Sequence, residues 1–216
     1  MIAFRVGLEE TLSVSTRPEH RYTDEEYLAI DRASDAKSEY LDGVIYAMGG
    51  ASARHVQIVG NVARELGNQL RDKPCIVYST DLRVRVSRQG LYAYPDVVVV
   101  CGEPVFSDDE LDTVINPLLI VEVLSSSTKN YDRGEKFERY RSIPTLQEYL
   151  LVAQEKLHVE RYLRQSDGAW VLRETDSADA TIDLVSVGCH LPVAEIYFKV
   201  SLSRPSPSQN AGLDRP

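Results

Sequence analysis

The chain has 216 residues, a length that suits one domain with tails, and its 43% apolar and 26% charged residues allow a buried core and exclude a fibre or a wholly disordered polymer. The formal net charge of −9 argues against indiscriminate coating of nucleic acid. No apolar run approaches the ~20 residues of a membrane-spanning helix, so a cytoplasmic protein with no membrane partner is expected.

Residues 1–21 show no sustained period and residues 201–216 are rich in Ser and Pro, so both read as tails around a folded domain at 22–200. Thr23-Asp24-Glu25-Glu26 reads as a capping box that opens a helix running to about Arg32. Asp42-Gly43 divides Ser38–Leu41 from Val44–Met48 and predicts a two-residue hairpin. From about Ser52 to Arg71, Val59, Val62, Leu66 and Leu70 recur at helical spacing, with His55 on the same stripe. Cys75–Tyr78 reads as a strand, and Leu82, Val84 and Val86 alternate with Arg83 and Arg85 as in a half-buried one. Asp96–Cys101 and Pro117–Leu124 are near-continuous apolar runs, which suits strands covered on both faces. A helix from about Asn130 to Arg141 follows, then strands at Glu148–Ala153 and Leu157–Leu163 and a short one around Trp170–Leu172. Strands interleaved with helices predict an α/β fold, a mixed sheet with helices against it.

Charge is unevenly distributed. Thr23 to Asp42 holds seven acids against two bases, whereas Arg54, Arg64, Arg71, Lys73, Arg83, Arg85 and Arg88 face only Glu65, Asp72 and Asp81 over the next basic stretch. Cys75, Cys101 and Cys189 are scattered and include no Cys-x-x-Cys, which disfavours a disulfide framework and a structural zinc site.

Glu122 is the most informative residue, because it stands inside the apolar run Leu118-Leu-Ile-Val-Glu-Val-Leu124. A carboxylate there must be protonated, paired or metal-bound, since an unpaired buried charge costs about several kcal/mol. Asp96 heads the other buried run after Pro95, and two carboxylates on neighbouring strands can converge on Mg²⁺ or Mn²⁺. Bland readings compete: Asp at a strand start is a common turn residue, and Glu in an apolar strand can pair with a structural Arg. Lys136 lies at the edge of its helix's apolar face, beside Phe137 and one turn before Tyr140. The competing reading for it is a pair with Asp132 on a solvated helix.

Pro95-Asp96, Glu122-Val-Leu-Ser125, then Asp132, Lys136 and Tyr140 resemble the Uma-two-type restriction endonuclease family of the PD-(D/E)XK nuclease superfamily. The likeness extends over Glu39-Tyr-Leu-Asp-Gly43, His55, Asp81 and Leu146-Gln-Glu-Tyr149. It implies a restriction-endonuclease-like fold, a central mixed sheet flanked by helices, with Asp96 and Glu122 as metal-binding and catalytic carboxylates. The general pattern places a Lys two residues after the Glu, where this chain has Leu124. The resemblance moves that catalytic role to Lys136 on the next helix. Glu39 and Asp81 are second-rank candidates, while His55 reads as a boundary histidine outside the site.

The function expected is Mg²⁺-dependent hydrolysis of DNA phosphodiester bonds, with the basic stretch supplying phosphate contacts and a homodimer compatible with the class. The alternative is a non-catalytic binding or assembly protein that retains the nuclease fold. A zinc hydrolase fits poorly, because His20, His55, His158 and His190 are dispersed. Ser125-Ser-Ser127 lacks the Gly-x-Ser-x-Gly context of a nucleophilic serine and reads as a loop before a helix.

Overall fold

Sequence-local signals set the first elements. The computed structural model describes residues 20–86 and 90–202; the ends of both expected tails and Arg88 lie outside the described residues. Helix α1 (Asp24–Arg32) opens on Thr23, whose hydroxyl accepts from the Glu26 N–H while the Glu26 carboxylate accepts from the Thr23 N–H. Two otherwise unpaired amides are thereby satisfied. Strands β1 (Ser38–Leu41) and β2 (Val44–Ala47) join through Asp42 and Gly43, at φ 47° and 89°. Positive φ at both central residues is the turn that matches the twist of a tight hairpin. Helix α2 (Ala53–Leu70) is capped by the Ser52 hydroxyl.

There follow β3 (Cys75–Ser79), β4 (Arg83–Val86), β5 (Leu91–Ala93), β6 (Val97–Cys101), β7 (Thr113–Val114) and β8 (Leu119–Leu124). The helix expected from about Asn130 to Arg141 forms in three pieces, α3 (Lys129–Tyr131), a π-helical turn (Asp132–Lys136) and α4 (Phe137–Tyr140). After it come β9 (Glu148–Ala153), β10 (Val159–Arg164), β11 (Trp170–Thr175), the hairpin β12 (Thr181–Leu184) and β13 (Cys189–Pro192), and α5 (Val193–Ile196).

The central sheet is mixed, in the order β11-β10-β9-β8-β6-β3. Within it β8 and β9 are parallel and the other neighbours antiparallel. A parallel neighbour requires a crossover, and the helical segment 129–140 supplies it. Both faces of its central strands β6, β8 and β9 are covered, which is why these read as continuous apolar runs, while β3, β10 and β11 are partly exposed. Leu119, Val121 and Val123 pack with Ile58, Val62 and Leu66 of α2 and with Leu184 and Leu191 of the β12–β13 hairpin. Ile120 and Leu124 face the other way, onto Tyr140, Leu146 and the second sheet, ordered β2-β1-β5-β4-β7. The fold is thus the expected α/β one, a central mixed sheet between helices, with a second sheet added on one face.

Two expectations are corrected. In β4, Val84 and Val86 face the core as predicted, but the opposite face is covered by α1 instead of water. Arg83 is only 2% exposed and pairs with Asp31 at 2.9 Å, with Asp112 and with the Thr113 hydroxyl. Arg85 pairs with Asp24 at 2.9 Å. The acidic segment and the basic strand neutralise each other, so these two arginines are not the phosphate contacts the sequence suggested. The second correction concerns cysteine: Cys75 and Cys101 are register partners on β3 and β6 and form a disulfide. Strand register, which scattered positions do not reveal, brings them together.

Removing one member of a buried pair strands the other, so Arg83→Met should cost about 3–5 kcal/mol in urea denaturation. Arg85→Met, at a pair about a third exposed, should cost far less. Equal losses would contradict this burial. Asp112 gives a pH test. Hydrogen bonding from Arg32, reinforced by Thr113 and Arg83, outweighs burial and holds its carboxyl at about 2, against an ordinary 3.8. A depressed folded value contributes stability that is complete above the ordinary value and lost as pH falls through the folded one. The stability gap between wild type and Asp112→Asn should therefore be constant above pH 4 and shrink toward pH 2, as read by acid unfolding.

Candidate active site

The site begins with strand register. Val98 pairs with Ile120 and Val97 with Val121, so the next step places Asp96 opposite Glu122, on the sheet face that carries Val98 and Ile120. Directly opposed residues of an antiparallel pair project from the same face. Both carboxylates therefore lie on the side where the helical segment crosses. Asp96 is fixed at both oxygens: Oδ2 accepts the Val123 N–H at 2.7 Å, and Oδ1 meets His55 Nε2 at 2.7 Å.

Glu122 is 5% exposed and meets Lys136, itself 4% exposed, at 2.9 Å. The Tyr140 hydroxyl donates to Glu122 Oε1 at 3.2 Å. Lys136 Nζ also donates to Glu39 Oε1 at 2.8 Å and stands 3.7 Å from Asp132. Lys136 and Asp132 stand four residues apart on the π turn and are both buried. Such turns widen a helix by one residue and commonly occur at functional sites. Here the wide turn carries both groups toward the sheet. The solvated-helix reading of Lys136 is replaced by a buried one, and Leu124 packs in the core.

The electrostatics share one sign. Burial pushes the Glu122 carboxyl well above its usual range; Lys136 counteracts this, and Asp132, Asp96 and Glu39 push it further up. Burial pulls the Lys136 ammonium down, but Glu122, Tyr140, Glu39 and Asp132 outweigh it and hold its value well above normal. Asp132 is raised by burial in the same way. Burial is the largest cause of both carboxyl shifts, and four carboxyl groups, Glu39, Glu122, Asp132 and Asp96, act on the single ammonium or on one another.

Asp96 and Glu122 offer the hard oxygen donors that Mg²⁺ or Mn²⁺ prefers, and Mg²⁺ uses one or two carboxylates with water completing the shell. Among the described residues, no three His, Cys, Asp or Glu side chains stand together as a closed metal cage.

Of the second-rank candidates, Glu39 joins this cluster through Lys136, whereas Asp81 pairs with Lys37 at 2.8 Å with its side chain 80% exposed. His55, read from the sequence as outside the site, meets Asp96, and Asp132, named in the resemblance without a site role, lies 3.7 Å from Lys136. The apolar stripe did place His55 facing the sheet, but its partner Asp96 lies 41 residues away.

The Uma2 family model, described as "Putative restriction endonuclease", matches residues 24–194. The Synechocystis sp. (strain ATCC 27184 / PCC 6803 / Kazusa) protein sll1609 is 39% identical over 161 residues, 74% of this chain and 91% of its own. The protein slr1290 of the same organism is 36% identical over 180 residues, 83% of this chain and 93% of its own. The crystal structure of "a putative nuclease belonging to DUF820" from Anabaena variabilis ATCC 29413 superimposes with a TM-score of 0.67 at 17% identity, over 80% of this chain and 96% of that one. At that identity the superposition bears on the fold.

The charge balance predicts non-additivity. Lys136→Met alone leaves buried carboxylates facing one another and should cost about 3–5 kcal/mol in urea denaturation. In a Glu122→Gln background the same change should cost clearly less. Additive losses would show that the two side chains do not act as a pair.

Proposed function

This chain belongs to the Uma2 family, and from that premise we propose that it is an Mg²⁺-dependent endonuclease that hydrolyses DNA phosphodiester bonds. The observation that carries the reading is the convergence of Asp96, Glu122 and Lys136 on one face of the central sheet, with excess negative charge around a buried ammonium. Asp96 and Glu122 would hold the metal, Mg²⁺ or Mn²⁺. When bound, that ion polarises a phosphoryl oxygen and lowers the pKa of water.

The protein's own groups divide the remaining work. His55 and the Val123 N–H hold Asp96 at its two oxygens, so the carboxylate needs little reorganisation. Tyr140 orients Glu122 by donating to Oε1. Lys136 has three N–H donors; Glu39 and Glu122 engage two, which leaves one to orient a water or to meet charge on the phosphate. Glu39 thus acts on Lys136 more directly than on a metal.

A cleavage assay on single- and double-stranded DNA with Mg²⁺ and Mn²⁺ tests this assignment. Asp96→Ala and Glu122→Ala should each remove nearly all cleavage, and the double variant should be little worse than either, because groups that act as a unit are not additive. Lys136→Ala should retain metal binding while slowing single-turnover cleavage by about 10²–10³. Full cleavage by folded Asp96→Ala would place the chemistry elsewhere. Metal binding without cleavage of any nucleic acid would favour the non-catalytic alternative.

A further inference from the structure

The β1–β2 hairpin has two unlike faces. On one, Tyr40 packs with Tyr27 and Tyr92, with ring centroids 5.1 to 5.9 Å apart, and is sealed beneath α1. On the other, Glu39 reaches Lys136 and Leu41 enters the core. The register pairs Glu39 with Tyr46. Tyr46 therefore projects from the same face as Glu39, beside the carboxylate that grips the site lysine. Unlike Tyr27, Tyr40 and Tyr92, it is 51% exposed.

The chain beyond Tyr46 keeps this region open. Residues 47–53 are exposed throughout, and a Cβ added at Gly49 or Gly50 would meet nothing within 4 Å. This strip runs from the strand beside Glu39 to the first turn of α2, where His55 meets Asp96. It connects two walls of the site, and Tyr46 stands at its start.

We propose that Tyr46 is a stacking platform for an unpaired base next to the scissile phosphate, so that the preferred substrate is single-stranded or locally unpaired DNA. The proposal rests on the nuclease reading above. A base presents an uncharged π face, which an acidic site can hold without a positive field, and base–aromatic stacking tolerates any sequence. An intact duplex hides those faces within its own stack. A duplex is gripped through its phosphates, and two arginines of the basic stretch, Arg83 and Arg85, are already engaged with Asp31 and Asp24.

Binding of fluorescent single-stranded and duplex oligonucleotides of one sequence, with a chelator present to prevent cleavage, tests this on full-length protein with the site residues intact. The single strand should bind more tightly. Adding Tyr46→Ala should weaken its binding by about 5- to 100-fold and leave duplex binding nearly unchanged. Tyr46→Trp and Tyr46→Phe should retain the preference, because the ring and not the hydroxyl carries it. Unchanged single-strand affinity in Tyr46→Ala, or an equal loss on duplex, would overturn the platform. If wild-type protein cleaves duplex and Tyr46→Ala alters neither binding nor cleavage, only the platform falls; if wild-type protein neither binds nor cleaves any DNA, the nuclease reading falls with it.

Discussion

The ion pair between Lys136 and Glu122 is the constraint around which the architecture is arranged. A carboxyl group within a strand buried along its whole length needs a proton or a counter-charge, and here Lys136 stands 2.9 Å away. That counter-charge comes from the crossover that parallel β8 and β9 require, and a π turn within the crossover aims the ammonium at the sheet. Glu39 reaches the same ammonium from the second sheet. Three parts of the fold therefore meet at one nitrogen, and the packing that buries them also sets the charge of the site.

A second ion-pair system does purely structural work. Asp24 and Asp31 of α1 neutralise Arg85 and Arg83 of β4, while Arg32 holds Asp108 and Asp112. The two systems differ in balance. In the Arg83 system three guanidinium groups meet four aspartates, and each is held in a direct pair. Around Lys136, Glu39, Glu122 and Asp132 exceed the single ammonium, and Asp96 adds to the excess. A nearly balanced network supports a fold, whereas the larger carboxylate excess around Lys136 underlies the proposed metal site.

Much of this was legible in the sequence because burial makes charge conspicuous. Glu122 stood out within an apolar run, Asp96 at the head of another, and the alternation and turn residues located the hairpin, the long helix and the main strands. Contacts that depend on register or tertiary cover were not legible. Arg83 and Arg85 alternate with valines just as solvent-facing residues would, and only the placement of α1 shows them to be covered. His55 meets Asp96, and Cys75 meets Cys101, through long-range pairing that leaves no local pattern. The π turn was hidden as well, since its sequence reads as ordinary helix.

The central claim is the proposal that Asp96 and Glu122 receive a divalent cation. Thermal unfolding across a titration of Mg²⁺ and Mn²⁺ tests it most directly, because a metal that binds only the folded state stabilises it by about 2.7 kcal/mol at a hundred times Kd. The account predicts a melting temperature that climbs with metal concentration in wild type and a flat response in the Asp96→Asn, Glu122→Gln double variant. A flat response in wild type, or an undiminished rise in the double variant, would contradict it.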